Sequence, residues 1–499
     1  MQSDTSNLYL DKVTRLLTSA RGIGRAGRVR EGYAPYSVEL DFRDVDEATA
    51  RARVAWLLGQ APYAQIEIVP ASAATGTLTV FARVDPTKLA TYLSEHVHRI
   101  HRVTIKGYRP FRDMTAKLSR LEVIVGANGA GKSSLLEFLK LLRDASREDI
   151  PPEIVVGSVG QQIFHGRGSE IEWDVEIQLY VDENVSGEMP LRYVRYQGVI
   201  AGQVGNHRVA RERLESVGPL RQTETGPFVY MDMREQKGYV ADQLSGVVAT
   251  RSKLVREERI LKRPSQLTLS TMTNPAQPTL YTLREYVSGW RFYNSFNINQ
   301  TKIRAPVILE QQPVLHEDCG NLSAVLFYLA SEHPSLLGEL KARLRLAIPG
   351  FADLNVKARG LGQVLALWRE QGIKDDVSLA DLSDGVLRFM CWLVLCLVPN
   401  PPSLLCIDEP ELGIHPRALP VLAGSFQKAS FQTQILLATH SSYFLTLFDI
   451  KNIAVMKKVD GASRYLKPMD SAALRANLEE FGITELEAMH RGDELEALV

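Results

Sequence analysis

The chain has 499 residues, 45% of them apolar, which is enough for a large globular core and at least one appended unit. Lysine plus arginine and aspartate plus glutamate each total 58, so the formal charge is zero and any nucleic-acid contact has to be a local patch rather than a general attraction. Cys319, Cys391, Cys396 and Cys406 lie in or beside apolar runs without a CxxC pair and read as buried thiols in a reducing cytoplasm, not as disulfides or zinc ligands.

In chain order, Met1 to Leu10 is polar and lacks the apolar segment of a secretion signal. Lys12, Arg15, Arg21, Arg25, Arg28 and Arg30 come next with only Asp11 among them as an acid; this lead reads as a solvated flexible segment or as a nucleic-acid or partner contact. Strands are expected at 37–42, 65–69 and 77–84, with a helix over 44–60 and another starting between Pro86 and Val97, which makes a small α+β module. Further strands are expected at 102–107, 121–126, 171–181 and 191–200, and a helix after 126 with Leu135, Leu136, Phe138, Leu139 and Leu142 on one face. The stretch from about Arg234 to Trp290 is charged and reads as a helical insertion interrupted by Pro264, Pro275 and Pro278; it has no sustained heptads, so no long coiled-coil arm is expected. Residues 321–348 return to helical spacing, and 403–407 and 434–439 are continuous apolar runs of the kind that fill a buried parallel sheet. The longest apolar run, Phe389 to Val398, is about half of the roughly 20 residues a membrane span needs, so no membrane partner is expected.

Chemistry concentrates at four places. Gly126-Ala-Asn128-Gly129-Ala130-Gly131-Lys132-Ser133 is a GxxxxGK[ST] phosphate loop between an expected strand and an expected helix. Its glycines let backbone N–H groups turn inward on phosphate oxygens. The helix start adds its positive end, Lys132 reaches the β- and γ-phosphates, and the Ser133 hydroxyl holds Mg²⁺. The second place is the apolar strand 403–407 ending in Asp408 and Glu409. Asp408 suits the Mg²⁺ shell and Glu409 suits the polarisation of an attacking water; two adjacent acids there would otherwise be costly to desolvate. Third, Leu382-Ser383-Asp384-Gly385 opens an apolar helix. Ser383 is a natural N-cap, and the motif alone is no more than a helix cap. Fourth, Thr439-His440-Ser441 closes the run 434–438, where a neutral imidazole can bond a γ-phosphate.

Taken in this order, these motifs resemble the ABC ATPase superfamily, in the branch of the SMC and double-strand-break-repair ATPases. Within it the chain resembles compact bacterial ATPases of the AAA-family or "overcoming lysogenization defect"-like kind. The resemblance spans roughly residues 102–490 and rests on VTIKGYRPFRD, the phosphate loop, Gly320-Asn-Leu322, LSDGVLRF, IDEPELGIHP and ATHSS. It implies an α/β P-loop NTPase of the ABC ATPase-head type. The expected domains are an N-terminal α+β module (1–100), lobe I (101–233), a helical insertion (234–300), lobe II (301–465) and a C-terminal helical tail (466–499). It also implies a homodimer or higher homo-oligomer in which Ser383, Asp384 and Gly385 of one subunit meet ATP held by Gly126 to Ser134 of the other, with ATP and Mg²⁺ as cofactors and Glu409, His440 and Lys132 as catalytic residues. Two departures stand out: the usual second signature glycine is Asp384, as in the SMC-like branch, and the usual following glutamine is Val386. The glutamine that senses nucleotide stays open among Gln161, Gln162, Gln197 and Gln203, and Arg109 and Arg112 stand either on the adenine side or on the surface.

Transport is disfavoured by the missing LSGGQ pattern, and a nuclease domain by the 59 residues after His440, too few for a typical domain. The resemblance then implies a regulatory ATPase that restrains a separately encoded effector, as in bacterial anti-phage systems such as PARIS, Septu and certain retrons. The alternative is a DNA-binding repair clamp or nuclease partner, motivated by residues 12–30 and 251–263, although Glu257 and Glu258 dilute the second stretch.

Overall fold

The computed structural model describes residues 26–31, 37–43, 46–69, 77–85, 97–150, 163–181, 191–203, 206–219, 226–241, 256–295 and 300–470, single positions apart, together with isolated positions between 10 and 23. The chain divides into two compact units, one built on residues 1–97 and the other on most of the chain from His98 onward.

In the first unit the strands Ala26–Glu31, Ser37–Arg43, Thr77–Val84 and Ala64–Val69 lie side by side in that order, all antiparallel. Alternation along the second strand sends Val38, Leu40 and Phe42 to one face. The helix Glu47–Gln60 covers that core with Ala50, Val54 and Leu57, and it begins where the Asp46 carboxylate accepts the Thr49 N–H at 2.8 Å. The helix expected after Pro86 falls, Lys88 and Val97 apart, outside the described residues, as do Lys12, Arg15, Arg21 and Arg25. Arg30 is paired with Asp41 at 2.6 Å.

The second unit is organised by a mostly parallel sheet. Its strands are β1 (Leu121–Val125), β2 (Arg291–Asn294), β3 (Leu404–Asp408), β4 (Gln434–Ala438), β5 (Ile453–Val459) and β6 (Ala462–Leu466), ordered β2-β3-β4-β1-β5-β6 with an antiparallel hairpin at the end. In register, Asp408 lies opposite Ala438 and Ala438 opposite Ile124. The loops that follow β1, β3 and β4 therefore leave the sheet at one edge, the carboxyl edge where open α/β sheets bind ligands. Both β1 and β4 are buried at every residue. Glu122 in β1 is included, because Lys467 Nζ reaches it at 2.9 Å and the Ser119 N–H at 2.8 Å.

Around the sheet lie α1 (Lys132–Arg147), α2 (Pro278–Ser288), α3 (Leu322–Glu332), α4 (Pro334–Ala347), α5 (Asp384–Leu397) and α6 (Leu419–Ala429). The apolar face of α1 is the expected one. The helix expected over 321–348 is two, because Pro334 removes an N–H and pushes His333 out of helical geometry. α5 buries Leu387, Phe389, Met390, Trp392, Leu393 and Leu395. At about 2 kcal/mol per side chain, this outweighs the modest helix propensity of its aromatic, cysteine and valine residues.

The expectation of a helical insertion over 234–300 is corrected. Lys237–Val240 and Glu257–Ile260 are strands that extend an eight-stranded sheet ordered 257–260, 237–240, 229–234, 206–216, 191–203, 170–180, 99–108, 111–117. α2 and the short turn Thr268–Thr271 are the helical parts described there, and Arg291–Asn294 is the edge strand β2. The charged residues at 256–259 lie in and beside an edge strand instead, where Arg259 pairs with Glu257 at 3.1 Å and Arg256 stands over the Tyr239 ring. A third sheet joins Val307–Ile308, Gln363–Glu370 and Phe351–Gly360, with Val377–Ser378 beside Gln363–Glu370. Among the described residues no helix is long and apolar enough to cross a membrane. The tail expected over 466–499 lies, beyond Asp470, outside them.

Candidate active site

The turn after β1 has the shape its glycines dictate. Gly126, Gly129 and Gly131 take φ of 148°, 76° and 106°, a region closed to most side chains. A Cβ on Gly126 would stand 2.0 Å from the Met456 carbonyl oxygen, so no larger residue fits between β1 and β5. Asn128 and Gly129 are exposed at the crest, while Ala130 and Lys132 are buried. Lys132 Nζ donates to the carbonyls of Gly126 at 2.6 Å and Ala127 at 3.0 Å, and lies 3.5 Å from His440 Nδ1. The ammonium is thereby held inside the loop.

The register of the sheet brings the other predicted residues to the same edge. Ser133 Oγ donates to Asp408 Oδ2 at 2.8 Å, joining phosphate loop to acidic strand end. Burial raises the Asp408 carboxyl above its ordinary value, against the pull of Ser133, Lys132 and His440. Glu409 is also raised, first by burial and then by the charge of Asp408. Its backbone sits at φ 53°, a left-handed conformation costing on the order of 1–3 kcal/mol for a residue with a Cβ. Three bonds hold it there: its N–H donates to Ala438 O at 2.8 Å, and its carbonyl accepts from Ser295 Oγ at 2.5 Å and from the Leu412 N–H at 3.1 Å.

A hydroxyl and a carboxylate oxygen 2.8 Å apart beside an inward-curled loop are hard oxygen donors of the kind Mg²⁺ takes together with phosphate. Ser133 and Asp408 would hold the ion, which supplies charge neutralisation at the β- and γ-phosphates. Residues 126–134 would hold the nucleotide.

Three contributors were not anticipated. The Glu411 carboxylate accepts from Thr439 Oγ1 at 2.5 Å and from the His440 N–H, clamping the loop that carries the imidazole. Ser295 and Arg304 act from a distance in sequence. For Glu411 a signal existed, since it is the third acid in Asp408-Glu409-Pro410-Glu411; for the other two there was none.

Ser383, Asp384 and Gly385 are held by different partners. Ser383 caps α5, accepting the Val386 N–H at 3.4 Å, and is exposed. Asp384 binds Arg304, and Gly385 packs on Gly413, where a Cβ would meet the carbonyl oxygen at 2.1 Å. Among the open candidates, Gln197 donates to Asp174 at 3.0 Å in the antiparallel sheet, and Gln161 and Gln162 lie outside the described residues. Arg109 is ion-paired with Glu137 on α1, and Arg112 is exposed.

Residues 99–213 match the family model described as "AAA ATPase domain", and residues 240–446 match the one described as "AAA domain, putative AbiEii toxin, Type IV TA system". Each match spans less than half of the chain. Together with the phosphate loop and its acidic partners they support the class: an α/β, ATP-binding chain that is similar in two segments to AAA ATPase domains. No curated protein matches. Among solved structures the chain is similar to an Smc head bound to the C-winged helix domain of ScpA (12% identity over 74% of this chain and 96% of that one, TM-score 0.44). It is also similar to the Smc head domain with an extended coiled coil bound to the C-terminal domain of ScpA derived from Pyrococcus furiosus (13%, 77% and 100%, 0.44) and to the SMC head domain from Thermotoga maritima (13%, 74% and 98%, 0.36).

Proposed function

We propose that the chain hydrolyses ATP as a head-to-tail homodimer, each nucleotide lying between the phosphate loop of one copy and Ser383 to Gly385 of the other. The observation that carries this reading is the split of the motif set. Ser133, Asp408, Lys132 and His440 are bonded into one half-site. The exposed Ser383, at the start of a 14-residue helix, faces solvent with the positive end of the helix behind it.

In this mechanism Glu409 orients a water and takes its proton as the water oxygen bonds to the γ-phosphorus. The bond from that phosphorus to the bridging oxygen breaks, and ADP and phosphate leave. Lys132 and the loop N–H groups stabilise the charge that develops on the phosphoryl oxygens. His440, held by Glu411 through its backbone, stands against Lys132 to contact the γ-phosphate.

The test is sedimentation of the wild type and Glu409→Gln without nucleotide, with ADP and with ATP. The expected result is a dimer that accumulates in the variant with ATP. A monomer under all conditions, with turnover proportional to protein concentration, would rule it out. Mixing Lys132→Ala with Ser383→Arg is expected to restore one site in each mixed dimer, since each variant carries the half the other lacks.

For the biological role we infer a regulatory ATPase that restrains a separate effector in a bacterial anti-phage system. The motif resemblance supports it, as does the family description naming a type IV TA system. Copurification with the product of a neighbouring gene is the check, and a chain that never binds that product, with or without ATP, counts against it. DNA binding is less favoured: Arg256, Arg259 and Arg263 of the second basic stretch are engaged with Tyr239, Glu257 and Asp149.

A further inference from the structure

Asp384 puts a carboxylate in the first turn of α5, beside the serine that in the shared-pocket reading meets a partner's γ-phosphate. A carboxylate suits the positive end of a helix, but it opposes a second, multiply charged anion arriving at the same end. Two like charges about 4 Å apart repel as strongly as unlike ones attract, so an uncompensated carboxylate there works against the second anion. A glycine, the usual residue there, raises no such conflict.

The structure places the answering charge 80 residues upstream. Arg304 ends the short helix Gln300–Arg304, and its Nη2 donates both to Asp384 Oδ1 at 2.8 Å and to the Leu382 carbonyl at 3.1 Å. Its side chain is 24% exposed and that of Asp384 47%, so the cation lies behind the carboxylate, on the protein side. One guanidinium thus grips the residues on both sides of Ser383. It cancels the charge of Asp384, and it fixes the turn from which the Ser383 hydroxyl projects.

We infer that Arg304 is the positioning residue for nucleotide recognition across the dimer: it neutralises Asp384 so that the start of α5 can receive a polyphosphate. Arg304 and Asp384 form one device, and the second signature position tolerates an acid because the arginine is there. This rests on the shared-pocket reading.

A double-mutant cycle of wild type, Arg304→Gln, Asp384→Asn and the double variant tests it. Three quantities are measured: ATP turnover against protein concentration, ATP-dependent dimerisation by sedimentation, and binding of a fluorescent ATP analogue to the dilute chain. Arg304→Gln is expected to lower turnover and dimerisation about tenfold, the scale of coupling between charges in one network. Its effect on analogue binding to the dilute chain should be small by comparison. In the Asp384→Asn background the same change is expected to cost less than about threefold. A loss of equal size in both backgrounds overturns the inference, because it would mean that Arg304 merely ties down the Leu382 carbonyl; so does an Arg304→Gln variant that dimerises normally. A wild type that shows no ATP-dependent dimer removes the shared-pocket reading itself, a result visible before any variant is compared.

Discussion

Gly385→Ala adds one methyl carbon at the start of α5, where the surroundings leave no room for it. An ideal Cβ would stand 2.1 Å from the Gly413 carbonyl oxygen and 3.2 Å from its carbon, whereas ordinary contact begins at 3.4 Å. The shortfall, about 1.3 Å, is against backbone, which has no alternative rotamer to adopt. Either the first turn of α5 or the loop 409–414 has to retreat by on the order of 1 Å. That loop is tied to the backbone of the two glutamates: the Leu412 N–H donates to the Glu409 carbonyl at 3.1 Å and the Ile414 N–H to the Glu411 carbonyl at 3.0 Å. The displacement therefore reaches either Ser383 or Glu409. Overpacking of this kind costs about 1–3 kcal/mol of stability, and a misplacement near 1 Å in an active site costs roughly 100-fold in rate. Phosphate release at saturating ATP is expected to fall accordingly with a lower melting temperature, while an ATP analogue still binds the loop 126–134 of the dilute chain. Wild-type turnover with an unchanged melting temperature would refute both the tightness of the contact and its connection to the carboxylates.

Glu409→Gln is expected to bind ATP and lose turnover by about 10²- to 10⁴-fold, the range for a general base; single-turnover phosphate release distinguishes this from weakened binding. Glu411→Ala removes the acceptor for the Thr439 hydroxyl and the His440 N–H and is expected to cost about 1–3 kcal/mol of stability and to reduce turnover, while Glu411→Gln, which keeps an acceptor oxygen, should retain most of both; equal losses would show that the clamp is not a hydrogen-bond effect. Glu212, fully buried and bonded by Tyr196 Oη at 2.8 Å and the Leu269 N–H at 3.0 Å, has its carboxyl raised by burial. Its contribution is full below 4.5 and is lost as pH rises through the raised value, so melts of Glu212→Gln should gain on the wild type with rising pH; a constant offset would contradict this.

The parts of this molecule that can be read from the sequence are those whose cause is local. The phosphate loop declares itself because backbone conformation and residue type coincide in eight consecutive residues, and β3 and β4 do so because strands buried on both faces are apolar over most of their length, here four consecutive residues in each. Lys237–Val240 and Glu257–Ile260 are different: at four residues each they are too short to show a period, and their strand geometry comes from pairing with one another and with Val229–Arg234. The same holds for Arg291–Asn294, which is a strand because it lies parallel to β3. The charge of the stretch around them invited the helical reading that tertiary pairing overrules.

At the site, Asp408, Glu409 and His440 were legible because they end apolar strands, where a polar group has to have a reason. The partners that hold them were not. Glu411 and Thr439 are 28 residues apart, and no periodic signal joins a side chain to one that distant. Yet two residues that break a local rule are answered by a remote one, Glu122 inside β1 by Lys467 and Glu409 in left-handed backbone by Ser295, and Asp384 at the start of α5 is likewise paired with Arg304. A sequence departing from its own local logic at a buried or site position needs a compensating partner elsewhere. In this chain the departures are the visible half of each pair, and only the folded molecule supplies the other.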